Sequence, residues 1–247
     1  MPDGKVVPVA LMSNEYLIEL YDRMRPVEDL SPAESEMMGK SEPDDPRWKI
    51  IEKETKRRGL DNRRTIMIDI DGVVANLHVE WLKRYNIEFD DDLKQEEITA
   101  WQMTDFVKEE CGNTIYKYLR QDDLYINVPE IDHAFWGVNV IRGMGFKVKF
   151  VSAGYVGGKM KWMFDHHFIT DADDYIIAED KESVEGDCLI DDYYEKNIVN
   201  FIGTGRPAIL FSQPWNYVFD YVPRANNWSE VIKRLEELYG KTQFNGR

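Results

Sequence analysis

A chain of 247 residues with 43% hydrophobic and 13% aromatic content can bury one sizeable α/β core with appendages, and its 7 Trp and 13 Tyr exclude a disordered chain. With 46 acidic against 31 basic residues the formal net charge is −15, which excludes a phosphate-neutralising surface and hence nonspecific binding to DNA, RNA or an anionic membrane. Only two cysteines, Cys111 and Cys188, exclude a disulfide framework and fit reduced thiols.

No stretch approaches the roughly 18 apolar residues of a membrane span, and the N-terminus lacks a signal-peptide core, so a soluble, cytoplasmic protein is expected. Residues 1–62 differ from the rest. Proline, charge and methionine are scattered there, and SPAESEMMGKSEPDDP reads as a linker or poorly ordered segment. Within this extension the apolar spacing of Asn14–Met24 predicts an amphipathic helix, and Pro46–Arg58 predicts a second that begins at a proline. Neither carries a catalytic pattern, and the function of the extension is left unassigned.

From Arg63 the pattern alternates. Strands are predicted at Ile66–Ile70, Lys147–Ser152, Tyr175–Ala178, Cys188–Ile190 and Ala208–Phe211, and helices at His78–Tyr85, His133–Met144, Lys159–His166, Tyr194–Phe201 and Ser229–Tyr239. Such alternation implies an α/β fold, a Rossmann-like three-layer parallel sheet with right-handed crossovers. Residues 63–247 are read as this one domain. The interval Leu77–Phe146 is too long for an ordinary crossover helix, so a small helical cap, at about residues 77–130, is expected after the first strand. Its Trp81, Trp101, Phe106, Tyr116, Tyr118 and Tyr125 are expected mainly to form the cap's own core.

The chemistry concentrates at strand ends. TIMIDIDGVVAN runs from β-branched residues into Asp69 and Asp71, one residue apart, followed by a glycine. The carboxyl end of a parallel strand faces the ligand crevice, and two carboxylates there repel unless a cation or a proton lies between them. A DxDG turn has the same letters, because Asp and Gly favour turns. A second acidic pair, Asp191 and Asp192, ends another apolar run, DCLIDD, and favours the metal reading: two such strand ends are costly without a hard divalent ion.

Other groups are weaker signals. Ser152 ends KVKFVSAG, where a hydroxyl and backbone N–H groups could hold a phosphate oxygen, although a strand-end serine is more often a turn residue. Lys181 precedes DCLIDD and would balance the carboxylates; Lys159 and Lys161 also follow Ser152 closely, but Lys181 is the preferred phosphate ligand. His166 and His167 are read as helix-end residues, since adjacent helical side chains diverge by about 100° and no partner ligands complete a metal set. Gly154–Gly158 lacks the spacing of a phosphate loop and is read as a flexible entry to the helix near Lys159. Trp215 and Trp228 are expected to pack near the rim of the site.

The order of acid-x-acid, hydroxyl, lysine and acid-acid on successive strand ends resembles the haloacid dehalogenase superfamily throughout Arg63–Tyr239. IDIDGVVAN, FVSAG, EDKESVEGDCLIDD, ILFSQPWN and NNWSEVI look like its 5′(3′)-deoxyribonucleotidase branch, bacterial and phage members included. The resemblance implies a Mg²⁺-dependent phosphomonoesterase in which Asp69 attacks phosphorus and forms an aspartyl-phosphate. Asp71 would protonate the leaving nucleoside oxygen and then deprotonate the hydrolytic water. The Asp69 carboxylate, the Asp71 backbone carbonyl and Asp192 would hold Mg²⁺, with Asp191 supporting that shell, and Ser152, Ala153 and Lys181 would grip the phosphoryl oxygens. Where mammalian members carry a base-pocket aromatic this chain has Leu77, for which Trp101 would compensate as a stacking surface.

The implied partner is a small nucleotide, with no nucleic acid polymer and no membrane, and oligomeric state is left open, a homo-oligomer included. Two other functions stay under consideration: a phosphatase of the same superfamily acting on another metabolite such as a sugar phosphate, and a noncatalytic nucleotide-binding interaction protein. A 3′-phosphatase acting on DNA ends is disfavoured by the acidic balance.

Overall fold

The computed structural model describes residues 9, 12–24, 40–41, 45–59, 62–154 and 157–240. They fall into two compact units, one made by residues up to Arg63 and one by residues from Arg64 onward. Among the described residues no helix is long and apolar enough to cross a membrane.

In the first unit, α1 (Asn14–Met24) and α2 (Pro46–Arg57) enclose Leu17, Leu20, Tyr21, Trp48 and Ile51. Proline opens α2, and the Asp45 side chain accepts the Arg47 N–H, satisfying one of the orphan donors at a helix start. The helix stops one residue short of the predicted Arg58, which becomes its cap and pairs with Glu54 at 2.8 Å. Most of the linker read across residues 31–46 lies outside the described residues.

The second unit is the α/β Rossmann-like fold. Its strands are β1 (Thr65–Ile68), β2 (Lys147–Ser152), β3 (Tyr175–Ile177), β4 (Cys188–Asp191), β5 (Ala208–Phe211) and β6 (Arg224–Ala225), all parallel, in the order β3-β2-β1-β4-β5-β6. Its helices are α3 (Leu77–Phe89), α4 (Ala134–Gly143), α5 (Gly157–Asp165), α6 (Val199–Gly203) and α7 (Trp228–Tyr239). Alternate residues of each central strand enter opposite cores: Ile66, Ile68, Phe150, Ile190 and Ile209 on one face, Met67, Val151, Leu189, Ala208 and Leu210 on the other. That two-sided burial is why these strands read as unbroken apolar runs. The strand order reverses between β1 and β4, so the carboxyl ends of these two neighbours flank the crevice that such a reversal opens.

Several boundaries differ from the sequence reading, each for a local reason. β1 ends at Ile68 rather than Ile70, because the Ile70 carbonyl accepts the N–H groups of Val74 and Ala75, both at 2.9 Å, and turns the chain. β4 runs one residue further, since Asp191 pairs with Leu210 in the β5 ladder. The helix predicted from Tyr194 opens as a π turn over Tyr194–Ile198, closed by an Ile198 N–H to Tyr193 carbonyl bond of 3.1 Å. β6, at two residues, is too short for any periodicity to announce.

The segment between β1 and β2 holds α3, then short 3₁₀ stretches at Gln95–Glu97, Met103–Asp105, Gly112–Arg120 and Leu124–Asn127, and finally α4. Its buried aromatics do not make a separate core. Trp81, Tyr118 and Tyr125 belong to the same apolar cluster as Ile66, Phe150 and Trp228, so the insertion is continuous with the sheet's own packing.

Candidate active site

The Asp69 N–H donates to the Ile190 carbonyl at 2.9 Å, continuing the β1–β4 ladder one step beyond the strand and bringing Asp69 beside the acids that end β4. Three residues on, Gly72 has φ +75°, and a Cβ there would stand 2.2 Å from Asp192 Oδ2. Only glycine supplies both that backbone angle and that space. Gln213 Nε2 donates to the Gly72 carbonyl at 2.6 Å and holds the turn from the β5 side.

Asp69, Asp191 and Asp192 are buried, and each offers a carboxylate oxygen within 4.8 Å of the others. Lys181, 2% exposed, joins two of them: its ammonium lies 2.6 Å from Asp69 Oδ1 and 2.7 Å from Asp191 Oδ2. Asp191 also accepts the Tyr193 N–H at 2.8 Å and, on both oxygens, the Asn197 amide at 3.1 Å. The π turn carries Asn197, so the irregularity at the head of α6 sits where a side chain must reach the acid pair. Asp192 Oδ2 accepts the Trp215 indole N–H at 3.0 Å, while Asp192 Oδ1 is buried without a hydrogen-bond partner.

Burial raises the Asp69 carboxyl to about 7; Lys181 opposes that rise, and the nearby Asp191 and Asp71 charges add to it. Burial, with the charges of Asp69 and Asp191, pushes Asp192 up as well. For Lys181 burial alone would favour loss of the proton, but Asp191 and Asp69 outweigh it and hold the ammonium charged.

A second lysine works on the opposite side. Lys159, in the first turn of α5, is buried, with its ammonium 2.6 Å from Asp71 Oδ2, 2.8 Å from Ser152 Oγ and 3.2 Å from the Ala153 carbonyl. The other oxygen of Asp71 accepts the hydroxyl of Tyr125. Burial first, then the Asp71 charge, raises that phenol well above its usual range, so it keeps its proton and donates. Lys161 is exposed and pairs with Asp165 at 2.5 Å, away from this cluster.

If all four were ionised, Asp69, Asp71, Asp191 and Asp192 would face Lys159 and Lys181 with two negative charges unmatched. A donor set made of oxygens, one of them buried and unpaired on Asp192, fits a hard divalent cation such as Mg²⁺.

The remaining sequence candidates divide. Trp101, 42% exposed, stacks on Tyr193 with ring centroids 3.8 Å apart and 4° between planes, directly beside the Asp191–Asp192 pair. Leu77 is buried at the start of α3 within the apolar cluster. Trp215 reaches the acids, whereas Trp228 is fully buried with its indole N–H 3.3 Å from the Val73 carbonyl, and a Cβ on Gly137 would come 2.4 Å from its ring. Trp228 is thus a core residue rather than one at the rim. His166 stacks on Trp162 with ring centroids 4.1 Å apart, and His167 at φ +58° follows the end of α5, in keeping with helix-end roles. That helix starts at Gly157, two residues before the predicted start, and residues 155–156 of the glycine-containing entry lie outside the described ones.

Sequence reasoning missed Tyr125, Asn197 and Gln213 as site neighbours. Tyr125 meets Asp71 across 54 residues, and Gln213 meets Gly72 across 141, separations that leave no local pattern. Asn197 was within reach: it falls six residues after Asp191, but the helix predicted there was regular, and only the π turn puts its amide on the carboxylate.

A family model described as 5′ nucleotidase, deoxy (pyrimidine), cytosolic type C matches residues 63–242. A 5′(3′)-deoxyribonucleotidase of Clostridium acetobutylicum is 30% identical over 180 residues, covering 72% of this chain and 97% of its own length. The 5′(3′)-deoxyribonucleotidase of Bacillus subtilis is 24% identical over 187 residues, covering 70% of this chain and 99% of its own. Among solved structures, a haloacid dehalogenase-like hydrolase from Streptococcus pneumoniae superposes with a TM-score of 0.50 at 11% identity, over 71% of this chain and 99% of that one, a likeness of fold.

Proposed function

This chain belongs to the 5′ nucleotidase, deoxy (pyrimidine), cytosolic type C family and is a phosphatase, and from that premise we propose that it hydrolyses deoxyribonucleoside 5′(3′)-monophosphates through an aspartyl-phosphate on Asp69 with Mg²⁺ as cofactor. The observation that carries this reading is the buried Lys181 bridge between Asp69 and Asp191 beside the unpaired Asp192 Oδ1. A dianionic phosphate approaches a carboxylate only where positive charge offsets the repulsion, and a pre-charged lysine next to a cation-ready acid set does that. The Asp69 and Asp192 carboxylates and the Asp71 backbone carbonyl are the assigned metal ligands, with Asp191 holding that shell through Lys181 and Asn197. Mg²⁺ bound there supplies charge neutralisation for the phosphoryl group.

Asp69 attacks phosphorus, the bond from phosphorus to the nucleoside oxygen breaks, and the departing oxygen takes a proton from Asp71. Asp71 then removes a proton from the water that attacks the aspartyl-phosphate, releasing inorganic phosphate and restoring both acids. Ser152, the Ala153 backbone and Lys181 are assigned to the phosphoryl oxygens. Lys159, bonded to both Ser152 and Asp71, ties the phosphate side of the site to the proton-transfer side. Trp101 is assigned as the stacking surface for the base and Leu77 as a buried apolar residue of that pocket. Two buried free thiols, Cys111 and Cys188, suit action in a reducing cytoplasm.

Phosphate release from a panel of deoxyribonucleoside monophosphates, ribonucleoside monophosphates and sugar phosphates tests the substrate class. The reading expects the highest kcat/KM on a deoxyribonucleotide. A sugar phosphate favoured by orders of magnitude would reject the nucleotidase assignment, and nucleotide binding without any phosphate release would make the protein a noncatalytic binder.

A further inference from the structure

Asp71 is held by both of its oxygens, and the two holders come from different parts of the fold. Lys159 of α5 occupies Oδ2 at 2.6 Å, and the Tyr125 hydroxyl, from the 3₁₀ stretch Leu124–Asn127 of the inserted segment, occupies Oδ1. Each carboxylate oxygen has two lone pairs, so one remains on each for a reacting group, and 27% of the Asp71 side chain stays accessible.

The holders are themselves locked together. A Cβ on Gly158 would stand 2.3 Å from the Asp122 carbonyl, so the inserted segment is pressed against the turn of α5 that carries Lys159. The Trp162 indole N–H donates to the Val128 carbonyl at 2.8 Å one turn further along, and the Lys159 ammonium lies 5.8 Å from the centre of the Tyr125 ring. The Tyr125 ring is buried in the apolar cluster. Its packing would be satisfied equally by phenylalanine, and the hydroxyl is the part of the side chain that the core does not explain.

We propose that the Tyr125 hydroxyl is a positioning group for proton transfer, fixing the plane of the Asp71 carboxyl so that it can hand its proton to the leaving oxygen. This rests on the reading above, in which Asp71 is the acid. One χ2 torsion otherwise leaves that carboxyl free to rotate about the Lys159 contact, and proton transfer requires the donor within hydrogen-bond reach of the leaving oxygen. Because Tyr125 lies on the inserted segment, a correctly seated insertion becomes a condition for leaving-group protonation. Phosphate capture is assigned to Lys181 and Ser152, which lie outside the inserted segment.

The test is Tyr125→Phe, which keeps the ring and removes the hydroxyl, assayed on two substrates with different demands for a proton. kcat/KM reports the steps through release of the leaving group. A deoxynucleoside alkoxide needs a proton to depart, whereas p-nitrophenolate departs without one. The expected result is a loss of about tenfold or more on a deoxyribonucleoside monophosphate, a loss below about twofold on p-nitrophenyl phosphate, and a thermal unfolding temperature close to the parent's. Equal losses on both substrates, or no loss on either, would overturn the positioning role. Asp71→Asn run in parallel separates the two levels: a steep leaving-group dependence there with none in Tyr125→Phe rejects this inference alone. Its absence in Asp71→Asn removes the acid assignment itself, and this inference with it.

Discussion

The Trp215 indole donates to Asp192 Oδ2 at 3.0 Å and so fixes that carboxylate with its other oxygen buried and unpaired. An acid kept in that state, beside Asp69 and Asp191, is destabilising in the absence of a counter-ion and useful in its presence. Thermal unfolding of the parent protein is therefore expected to shift upward on adding Mg²⁺ and back on adding EDTA. At a concentration about a hundred times the dissociation constant the gain is about 2.7 kcal/mol, on the order of 5–10 °C for a chain of this size. Asp192→Asn is expected to cross over: at least as stable as the parent in EDTA, because a buried like charge is gone, and nearly unresponsive to Mg²⁺. An equal upward shift in parent and variant would show that the cation binds elsewhere.

Asp69→Asn removes the proposed nucleophile while keeping the shape of the side chain. Lys181 retains Asp191 as a partner, so the fold is expected to survive. Turnover is expected to fall by about a thousandfold or more, measured as phosphate release in Mg²⁺ under saturating nucleotide. A variant that turned over at the parental rate would move the nucleophile to another residue.

Gly72 and Gly205 provide a matched pair, both in the left-handed region at φ +75° and φ +83°, but only the first with no room for a side chain. Alanine at Gly205 meets nothing within 4 Å, so Gly205→Ala is expected to lose about 1 kcal/mol from backbone strain alone. In Gly72→Ala the new carbon would meet Asp192 Oδ2 at 2.2 Å and the Trp215 ring at 3.2 Å. It is expected to lose more, about 2–3 kcal/mol, and to blunt the response to Mg²⁺ by displacing the ligand. Denaturant unfolding and a Mg²⁺ titration of both variants check this, and equal behaviour of the two would separate the Gly72 turn from the metal site.

His78 stacks on Trp215 with ring centroids 4.1 Å apart and lies tilted at 47° against Trp81 at 5.3 Å, and its Nδ1 is buried without a partner. Burial lowers its pKa from 6.5 to about 4, against the opposing pull of Asp71. The unfolded chain then binds the extra proton first, so stability is complete above pH 6.5 and is lost as the pH falls toward about 4. At about 1.4 kcal/mol per pKa unit the loss reaches at most about 3 kcal/mol. His78→Phe keeps the aromatic stack and cannot take up the proton. The gap in unfolding free energy between the two proteins is expected to narrow in the parent's disfavour across that window, and parallel pH curves would contradict the assignment.

Several features of this protein were legible without coordinates because their causes are local. The apolar runs read at Ile66–Ile70 and Cys188–Ile190 announce strands, found at Thr65–Ile68 and Cys188–Asp191, and the acids sit at their carboxyl ends because the carboxyl end of a parallel strand opens on the crevice. Lys147–Ser152 and Ala208–Phe211 fall where the pattern put them for the same reason. Boundaries drifted where a contact from outside the element intervened, as at Ile70, whose carbonyl is claimed by a turn, and at Tyr194, where a π turn serves Asn197.

From its own letters, then, the chain determined a parallel α/β sheet, two acid pairs at strand ends, and a long insertion after the first pair. Tertiary structure alone decided which charges meet: that Lys181 spans Asp69 and Asp191, that Lys159 instead serves Asp71 and Ser152, and that Tyr125 and Trp215 hold the outer oxygens of two different acids. The division has a physical origin. Backbone periodicity and strand-end exposure act over a few residues and are written in composition, whereas an ion pair depends on where a sheet's strand order reverses and on how an insertion packs, which no short stretch of sequence contains.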